Sequence, residues 1–230
     1  MSESPLFDHF SDSYDEDLNR ALAVIGAGKE FFAQGRVAWL SRCLRQLGEH
    51  PQSALDYGCG IGSTIPLLSN SFELREIIGV DISSRSLATA QERHGSGPIR
   101  YATIAEYRPE GKLDLAYCNG VFHHIPKAER PAAVAYVREA LRPQGLFAFW
   151  ENNPWSPATH YVMSRCSFDK DAVTLSVSES KRLLRQFDFT ILRCDFLFIF
   201  PNFLRALQPL EPLVSKLALG AQYQILARKA

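Results

Sequence analysis

The chain has 230 residues, 46% of them hydrophobic, and its 25 basic residues balance 25 acidic ones. This length and apolar content suit one α/β domain with a sizeable core. Zero net charge argues against a protein that binds nucleic acid mainly through the phosphates, because such binding needs clustered excess Lys and Arg. No apolar run reaches the ~18 residues of a membrane span, so we expect no transmembrane segment.

Five cysteines, none of them in a Cys-x-x-Cys pair, favour a reduced compartment over a disulfide framework. The N-terminal stretch is acidic and contains no apolar run of the kind found in signal peptides. Both features predict a cytoplasmic protein. The sequence leaves the oligomeric state open.

Helical and strand patterns alternate along the chain. Residues 28–48 carry apolar residues at helical spacing and end at a glycine. Residues 53–57 are typical of a short buried strand, and a glycine-rich turn then leads into a helix. A second strand ends at Asp81, and Ser83 or Ser84 is predicted to cap the helix that follows.

The alternation continues and then changes character. The patterns predict, in order, strands over 98–104 and 112–120, a helix over 129–145 that breaks at Pro143, a strand over 145–152, a helix over 178–187 capped by Ser178, and strands over 189–200 and 221–229. Such alternation predicts a Rossmann-like α/β three-layer sandwich with a mostly parallel, seven-stranded sheet. Because no crossover helix of the usual kind joins the last two strands, we expect an antiparallel edge strand.

The stretch ALDYGCGIGSTIPLL, residues 54–68, places glycines at 58, 60 and 62, directly after the first strand. A turn at the carboxyl end of such a strand lies where α/β sheets bind ligands, and glycines let a ligand approach the backbone closely. The dinucleotide fingerprint is Gly-x-Gly-x-x-Gly. Here Ser63 stands in place of its third glycine, which counts against a pyrophosphate site.

Two acids flank this turn. Asp56 lies two residues before Gly58, where a carboxylate would repel a phosphate and attract a cation. Asp81 ends the second strand, 19 residues past Gly62 (81 − 62), where a carboxylate can accept hydrogen bonds from ribose hydroxyls. The turn and its acids therefore predict a site for a nucleoside that carries positive charge.

These segments, together with NGVFHHIP at 119–126 and VREALRPQGLFAFWEN at 137–152, resemble the class I S-adenosylmethionine-dependent methyltransferases. The type 11/12 group is the nearest branch, and the resemblance covers roughly residues 30–155. It implies S-adenosyl-L-methionine as cofactor, S-adenosyl-L-homocysteine as product and a small-molecule substrate rather than nucleic acid. We expect a single domain made of an N-terminal helical cap (1–50), a cofactor-binding core (51–150) and a substrate-side region with a loop, a lid and the last strands (151–230).

The resemblance also implies roles for individual residues. Asp56, Gly58 and Gly60 would line the methionine part of the cofactor, and Gly62 would keep the turn close. Asp81 would bind the ribose hydroxyls. Ile82 would pack on the adenine, Asn119 would lie near the methyl group, and Ala105 would contact the adenine through its backbone unless Glu106 does so.

In relatives the segment before the first long helix can fold over the cofactor. Tyr14 and Arg36 would then contact the methionine carboxylate. Simple packing of Tyr14 and solvation of Arg36 explain these two residues equally well, and the sequence leaves both readings open.

His123 and His124 follow the fourth strand and are candidates for a general base, because histidine titrates near neutral pH. Neighbouring side chains point in different directions, so at most one should reach the substrate. The pair lacks a third ligand at a typical spacing, so we expect no metal site. The loop after the fifth strand supplies the candidates for substrate binding, which are Glu151, Asn153, Trp155 and His160.

Residues 196–219 are apolar and aromatic. A core and lid role over the substrate pocket is the simplest prediction, and a long apolar or lipid-like substrate, a dimer face or a peripheral membrane contact are alternatives. The sequence thus predicts a methyltransferase for a small acceptor that reacts at O, N or C. A non-catalytic cofactor-binding protein that acts through a partner, or an NAD-dependent oxidoreductase, stands as the alternative.

Overall fold

A computed structural model describes residues 28–166 and 169–230 of the chain. Tyr14 lies outside these residues. The elements, in chain order, are α1 (Lys29–Leu47), β1 (Ser53–Tyr57), α2 (Ile65–Phe72), β2 (Glu76–Asp81), α3 (Ser84–His94), β3 (Ile99–Thr103), β4 (Leu113–Asn119), α4 (Arg130–Ala140), β5 (Leu141–Asn152), α5 (Pro157–Met163), α6 (Val177–Gln186), β6 (Phe189–Leu197), a 3-10 helix (Asn202–Leu210), α7 (Glu211–Val214) and β7 (Gln222–Lys229).

The seven strands form one sheet in the order β3-β2-β1-β4-β5-β7-β6. β1 to β5 pair in parallel, whereas β7 runs antiparallel to both β5 and β6. The predicted α/β sandwich with an antiparallel pair at one edge is confirmed. The order of the last two strands in the sheet is the reverse of their order in the chain. The final strand, β7, lies between β5 and β6, and β6 forms the edge of the sheet.

Both faces of the sheet are covered, as a parallel sheet requires. Alternate residues of one strand enter different cores: Leu55 packs on the side of α4 and α6, and Ala54 packs on the side of α1 and α2. This two-sided burial explains why β1 and β2 are buried at every position except the first. With both faces covered, the carboxyl ends of the parallel strands remain accessible to a ligand.

Four predicted boundaries differ clearly from the structure. α6 begins after Ser176, not at Ser178, because Ser176 and Glu179 form a reciprocal capping box at its first turn. α4 ends at Ala140, and β5 already begins at Leu141, before the predicted break at Pro143. β6 ends at Leu197 rather than at residue 200.

The apolar segment 196–219 divides into two parts. Phe196 and Leu197 are buried in β6, whereas the 3-10 helix that follows has no buried residue, and Phe203 and Leu213 are 80% and 81% exposed. The core role therefore holds only for the end of β6. Within the residues that the structure describes, no helix has both the length and the apolar character needed to span a bilayer.

Candidate active site

The glycine turn is built by the carboxyl ends of β1 and β2. The N–H groups of Gly58 and Cys59 both donate to the carbonyl of Val80, at 2.8 and 3.0 Å, so the turn is fastened to the neighbouring strand. Gly58, Gly60 and Gly62 all have positive φ, at 73°, 53° and 74°. This left-handed conformation is costly for any residue with a Cβ atom, which explains why the turn alternates glycines.

Asp81 organises the turn from the end of β2. Its two carboxylate oxygens accept hydrogen bonds from the N–H of Gly60 at 2.8 Å and from the N–H of Ser83 at 2.9 Å. Ser83 in turn caps α3 through its hydroxyl. The carboxylate is thereby fixed at the opening of the turn.

Asp56 lies beneath the same opening and is 3% exposed. Burial raises the pKa of Asp56 to about 7, the charge of Asp81 adds to this increase, and Arg36 opposes it. The Arg36 side chain is itself buried and donates to the Tyr117 hydroxyl and to Gln222 Oε1, at 3.1 and 3.0 Å. A buried carboxylate of this kind is poised to be stabilised by a bound cation.

A cavity of about 650 Å³ extends over the carboxyl ends of the strands. It brings together most residues that the sequence placed in the cofactor site: Arg36, Asp56, Gly58, Gly60, Asp81, Ile82 and Asn119. Gly62 lies behind this surface, where a Cβ atom would come within 2.6 Å of the Tyr101 hydroxyl. No residue of 196–219 lines this cavity, so the lid role of that segment stays a prediction.

Two observations test whether a ligand fits here. Asn119 Oδ1 is buried against the cavity and has no hydrogen-bond partner among the described residues, as expected of an acceptor that awaits a ligand donor. A Cβ atom at Gly60 would meet nothing within 4 Å, so the turn leaves open space above its backbone. Acceptor oxygens and open space suit a cationic nucleoside.

The end of the cavity that contains the glycine turn also has apolar side chains in its lining. Ile82 is 54% exposed and lines the cavity beside Ile104, which gives a planar base two side chains to pack against. Ala105 is exposed and does not line the cavity, and Glu106 binds back to the N–H and hydroxyl of Thr103 at 3.0 and 2.8 Å. The predicted contact of Ala105 with adenine stays a prediction.

The two histidines after β4 lie at the other end of the cavity, with ring centroids 4.1 Å apart. Glu151 is fully buried on β5 and binds His123 Nδ1 at 2.6 Å and the N–H of Phe122 at 2.8 Å. On the other side, Asp169 Oδ1 lies 3.6 Å from His123 Nε2 and 3.4 Å from His124 Nε2. His123 is therefore held between two carboxylates.

This arrangement separates the two histidines chemically. Burial by itself lowers the pKa of His123, but Glu151 and Asp169 outweigh burial and raise it to about 9. Burial and the nearby His123 lower the pKa of His124 to about 3. The two carboxylates thus favour the charged form of His123, whereas burial beside His123 favours the neutral form of His124.

The substrate-side candidates from the loop after β5 do not reach the cavity. Glu151 binds His123 as described, and Asn153 is buried with its amide donating to the carbonyls of Ala218 and Gly220. His160 Nε2 lies 2.6 Å from the carbonyl of Pro154, and Trp155 is 57% exposed. None of the four lines the cavity among the residues that the structure describes.

α5 and the loop behind it contribute the residues that the sequence did not indicate. Thr159, Val162 and Met163 line the cavity from α5, and Asp169 lines it from the following loop. Apolar residues on α5 offered only a weak signal for Val162 and Met163, and none for Thr159. No sequence signal connects Asp169 to the histidines, because 45 residues separate it from His124.

The fold and this site define a Rossmann-like domain with a nucleoside-type cavity at the switch point of the sheet. Comparison with known proteins relates part of the chain to a known family. Residues 54–145 match the model of a family described as a methyltransferase domain. A trans-aconitate 2-methyltransferase of Variovorax paradoxus is 31% identical over 116 residues, which cover 49% of this chain and 44% of that protein.

Solved structures agree at the level of the fold. A S-adenosylmethionine-dependent methyltransferase from Mesorhizobium loti has a TM-score of 0.58 and 19% identity, and the match covers 78% of this chain and 91% of that one. Geranyl diphosphate C-methyltransferase from Streptomyces coelicolor, which contains bound S-adenosyl-L-homocysteine, has a TM-score of 0.61 and 16% identity, with 84% and 76% covered. These matches relate residues 54–145, less than half of the chain, to methyltransferase domains, and the solved structures share the fold.

Proposed function

We propose that this protein binds S-adenosylmethionine and transfers its methyl group to a small-molecule acceptor with an apolar body. The observation that supports this most directly is one continuous cavity that includes Asp81, Asn119 and His124. One end has the acid and the glycine turn that suit a nucleoside. The other end has a neutral imidazole among apolar side chains, which suits an acceptor.

At the cofactor end, the geometry supports the following roles. Asp81 would accept hydrogen bonds from the ribose hydroxyls, and Ile82 with Ile104 would pack against the adenine. Asp56 and Asn119 Oδ1 would face the cationic methionine end. When bound, S-adenosylmethionine supplies an electrophilic methyl group, and the protein contributes alignment and charge.

The acceptor end supports an apolar acceptor over a polycarboxylate. Its lining combines His124 and Thr159 with Ile125, Pro126, Ala132, Val162 and Met163. Recognition of several carboxylates, as on trans-aconitate, calls for Arg or Lys partners. Of the described residues, only Lys29 and Arg36 bring such groups to the cavity, and they bind Ser63 and the Tyr117–Gln222 pair respectively.

Two measurements test this function. Calorimetric titration should show S-adenosyl-L-homocysteine binding with a Kd on the order of micromolar. Transfer of labelled methyl from S-adenosylmethionine should then be faster to apolar phenols or carboxylic acids than to trans-aconitate. Binding without transfer to any acceptor would favour a non-catalytic protein that acts through a partner, and absence of binding would overturn the proposal.

Cofactor binding should depend on pH through Asp56. A cation bound beside Asp56 stabilises its ionised form, so binding releases the proton that the free protein holds below a pKa of about 7. Affinity for S-adenosyl-L-homocysteine, whose amino group is cationic, should therefore rise about tenfold between about pH 6 and pH 8. Asp56→Asn should bind more weakly and show a flat profile, and a flat wild-type profile would contradict the assignment.

The same shift has the opposite consequence for the stability of the free protein. An acid whose pKa is raised by folding favours the folded state below its unfolded value, 3.8, and this stability is lost as pH rises towards about 7. Asp56→Asn should therefore raise the free energy of unfolding at about pH 8 by on the order of 2 kcal/mol. Urea denaturation without cofactor measures this, and a less stable variant would refute it.

A further inference from the structure

The cluster of His123, His124 and Asp169 at the acceptor end of the cavity is not explained by cofactor binding. One ligand-type atom from each of the three residues lies within 4.8 Å of the other two, and Asp169 Oδ1 faces the Nε2 atoms of both histidines. The Asp169 side chain is 6% exposed. Its Oδ1 atom makes no hydrogen bond within residues 28–166 and 169–230, so a buried anionic oxygen is aimed at two imidazoles without a close donor.

The spacing of these atoms matches a metal site better than a hydrogen bond. The distances from Asp169 Oδ1 to the two Nε2 atoms, 3.4 and 3.6 Å, exceed the usual 2.7–3.2 Å of an N–H···O bond. Ligands about 2.1 Å from a tetrahedral ion lie about 3.4 Å from one another. An ion could therefore enter between the three atoms with little movement of the protein.

Glu151 prepares His123 for such a role. It binds Nδ1 at 2.6 Å from a fully buried position, which directs Nε2 towards Asp169. A carboxylate on the distal nitrogen is the usual partner of a metal-binding histidine, because it fixes the ring and increases its basicity. The Glu151 and Asp169 carboxylates also surround the cluster with the negative charge that a dication needs.

The loop that carries Asp169 is attached to the histidine loop at two points. The N–H of Val173 donates to the carbonyl of His123 at 2.8 Å, and Arg130 donates to the carbonyls of Val173 and Ile125 at 2.6 and 2.9 Å. These bonds hold the third ligand in place although it is distant in sequence. The cluster is therefore preorganised, as a binding site should be.

We propose that His123, His124 and Asp169 form a binding site for a divalent transition-metal ion of the zinc type. Two imidazoles and one carboxylate favour zinc, iron or cobalt over magnesium and calcium, which prefer all-oxygen sites. Three protein ligands leave a position open, as in catalytic rather than structural sites. If the function proposed above holds, an oxygen atom of the acceptor would occupy that position.

The test is a titration of the metal-free full-length protein with Co²⁺, a coloured substitute for zinc. One equivalent should bind with the intense visible absorption of a tetrahedral ion, and the visible spectrum should bleach when Zn²⁺ is added. Asp169→Asn should weaken Co²⁺ binding by more than the 10- to 100-fold typical of losing a ligand's hydrogen-bond partner. His50→Ala removes an exposed histidine and should bind like the wild type.

Two further variants keep the test decisive. If Asp169→Asn proves unstable, His124→Gln provides the same test. It changes a side chain that is 15% exposed, and it should lose Co²⁺ binding. Glu151→Gln should retain the site with about 10- to 100-fold lower affinity. No bound Co²⁺ in the wild type, or equal binding by Asp169→Asn or His124→Gln, would overturn the proposal. Methyl transfer is not measured, so failure here leaves the proposed function untouched.

Discussion

Asp81→Asn is expected to weaken binding of S-adenosyl-L-homocysteine by about 100-fold. The variant removes the charge from the acceptor that would bind the ribose, and hydrogen bonds to a charged acceptor contribute about 1.5–3 kcal/mol. It also sets an NH₂ group against the N–H of Gly60 or Ser83, both of which now donate to the carboxylate. The same substitution therefore removes an acceptor from a backbone N–H of the turn and weakens the acceptor offered to the ribose.

Calorimetry measures this effect directly. Glu92→Gln is a matched control, because it removes an exposed carboxylate from α3, which begins just after Asp81. The control should bind as the wild type does. An Asp81→Asn affinity within threefold of the wild type would contradict the ribose assignment.

Gly58→Ala is expected to lower the free energy of unfolding by about 3 kcal/mol. Gly58 has a φ of 73°, and an added Cβ atom would come within 2.4 Å of Val121 Cγ2. The left-handed conformation costs about 1–2 kcal/mol, and the overlap adds the strain of an overpacked site. Val121 lies two residues before His123, and both line the cavity. Displacement of Val121 should therefore also shift His123.

Urea denaturation of two further variants separates these costs. Gly97 has a similar φ of 69° and open space around it, so Gly97→Ala should cost only about 1 kcal/mol. Adding Val121→Ala to Gly58→Ala should recover most of the difference, as a double-mutant cycle would reveal. Equal costs for the two glycine variants would refute the steric explanation.

The cofactor end of the cavity was largely predictable because its signals are local. A strand, a glycine turn and the acid that ends the next strand occupy 29 consecutive positions, 53–81. Parallel pairing of adjacent strands then brings their ends together without further information. Of the two predicted caps, Ser83 and Ser84, the structure shows Ser83, and this cap was predictable because it depends on bonds within one turn.

The acceptor end was less predictable because its geometry depends on packing. Glu151 and Asn153 belong to a polar sequence motif that also suits substrate binding. In the structure, however, Glu151 binds His123, and Asn153 binds the backbone carbonyls of Ala218 and Gly220. Only the buried surroundings of these groups reveal that they support structure. Direct contact of Trp155 and His160 with a substrate remains a prediction.

The sequence by itself determined the sheet, the turn and the acids of the cofactor site, since periodicity and close spacing encode them. Only the tertiary structure decided which groups surround the two histidines. Read along the chain, they lack a third ligand, and on that ground no metal site was expected. Folding brings Asp169 within 3.6 Å of both rings, because the loop after α5 packs against the end of β4, a contact that no local pattern records.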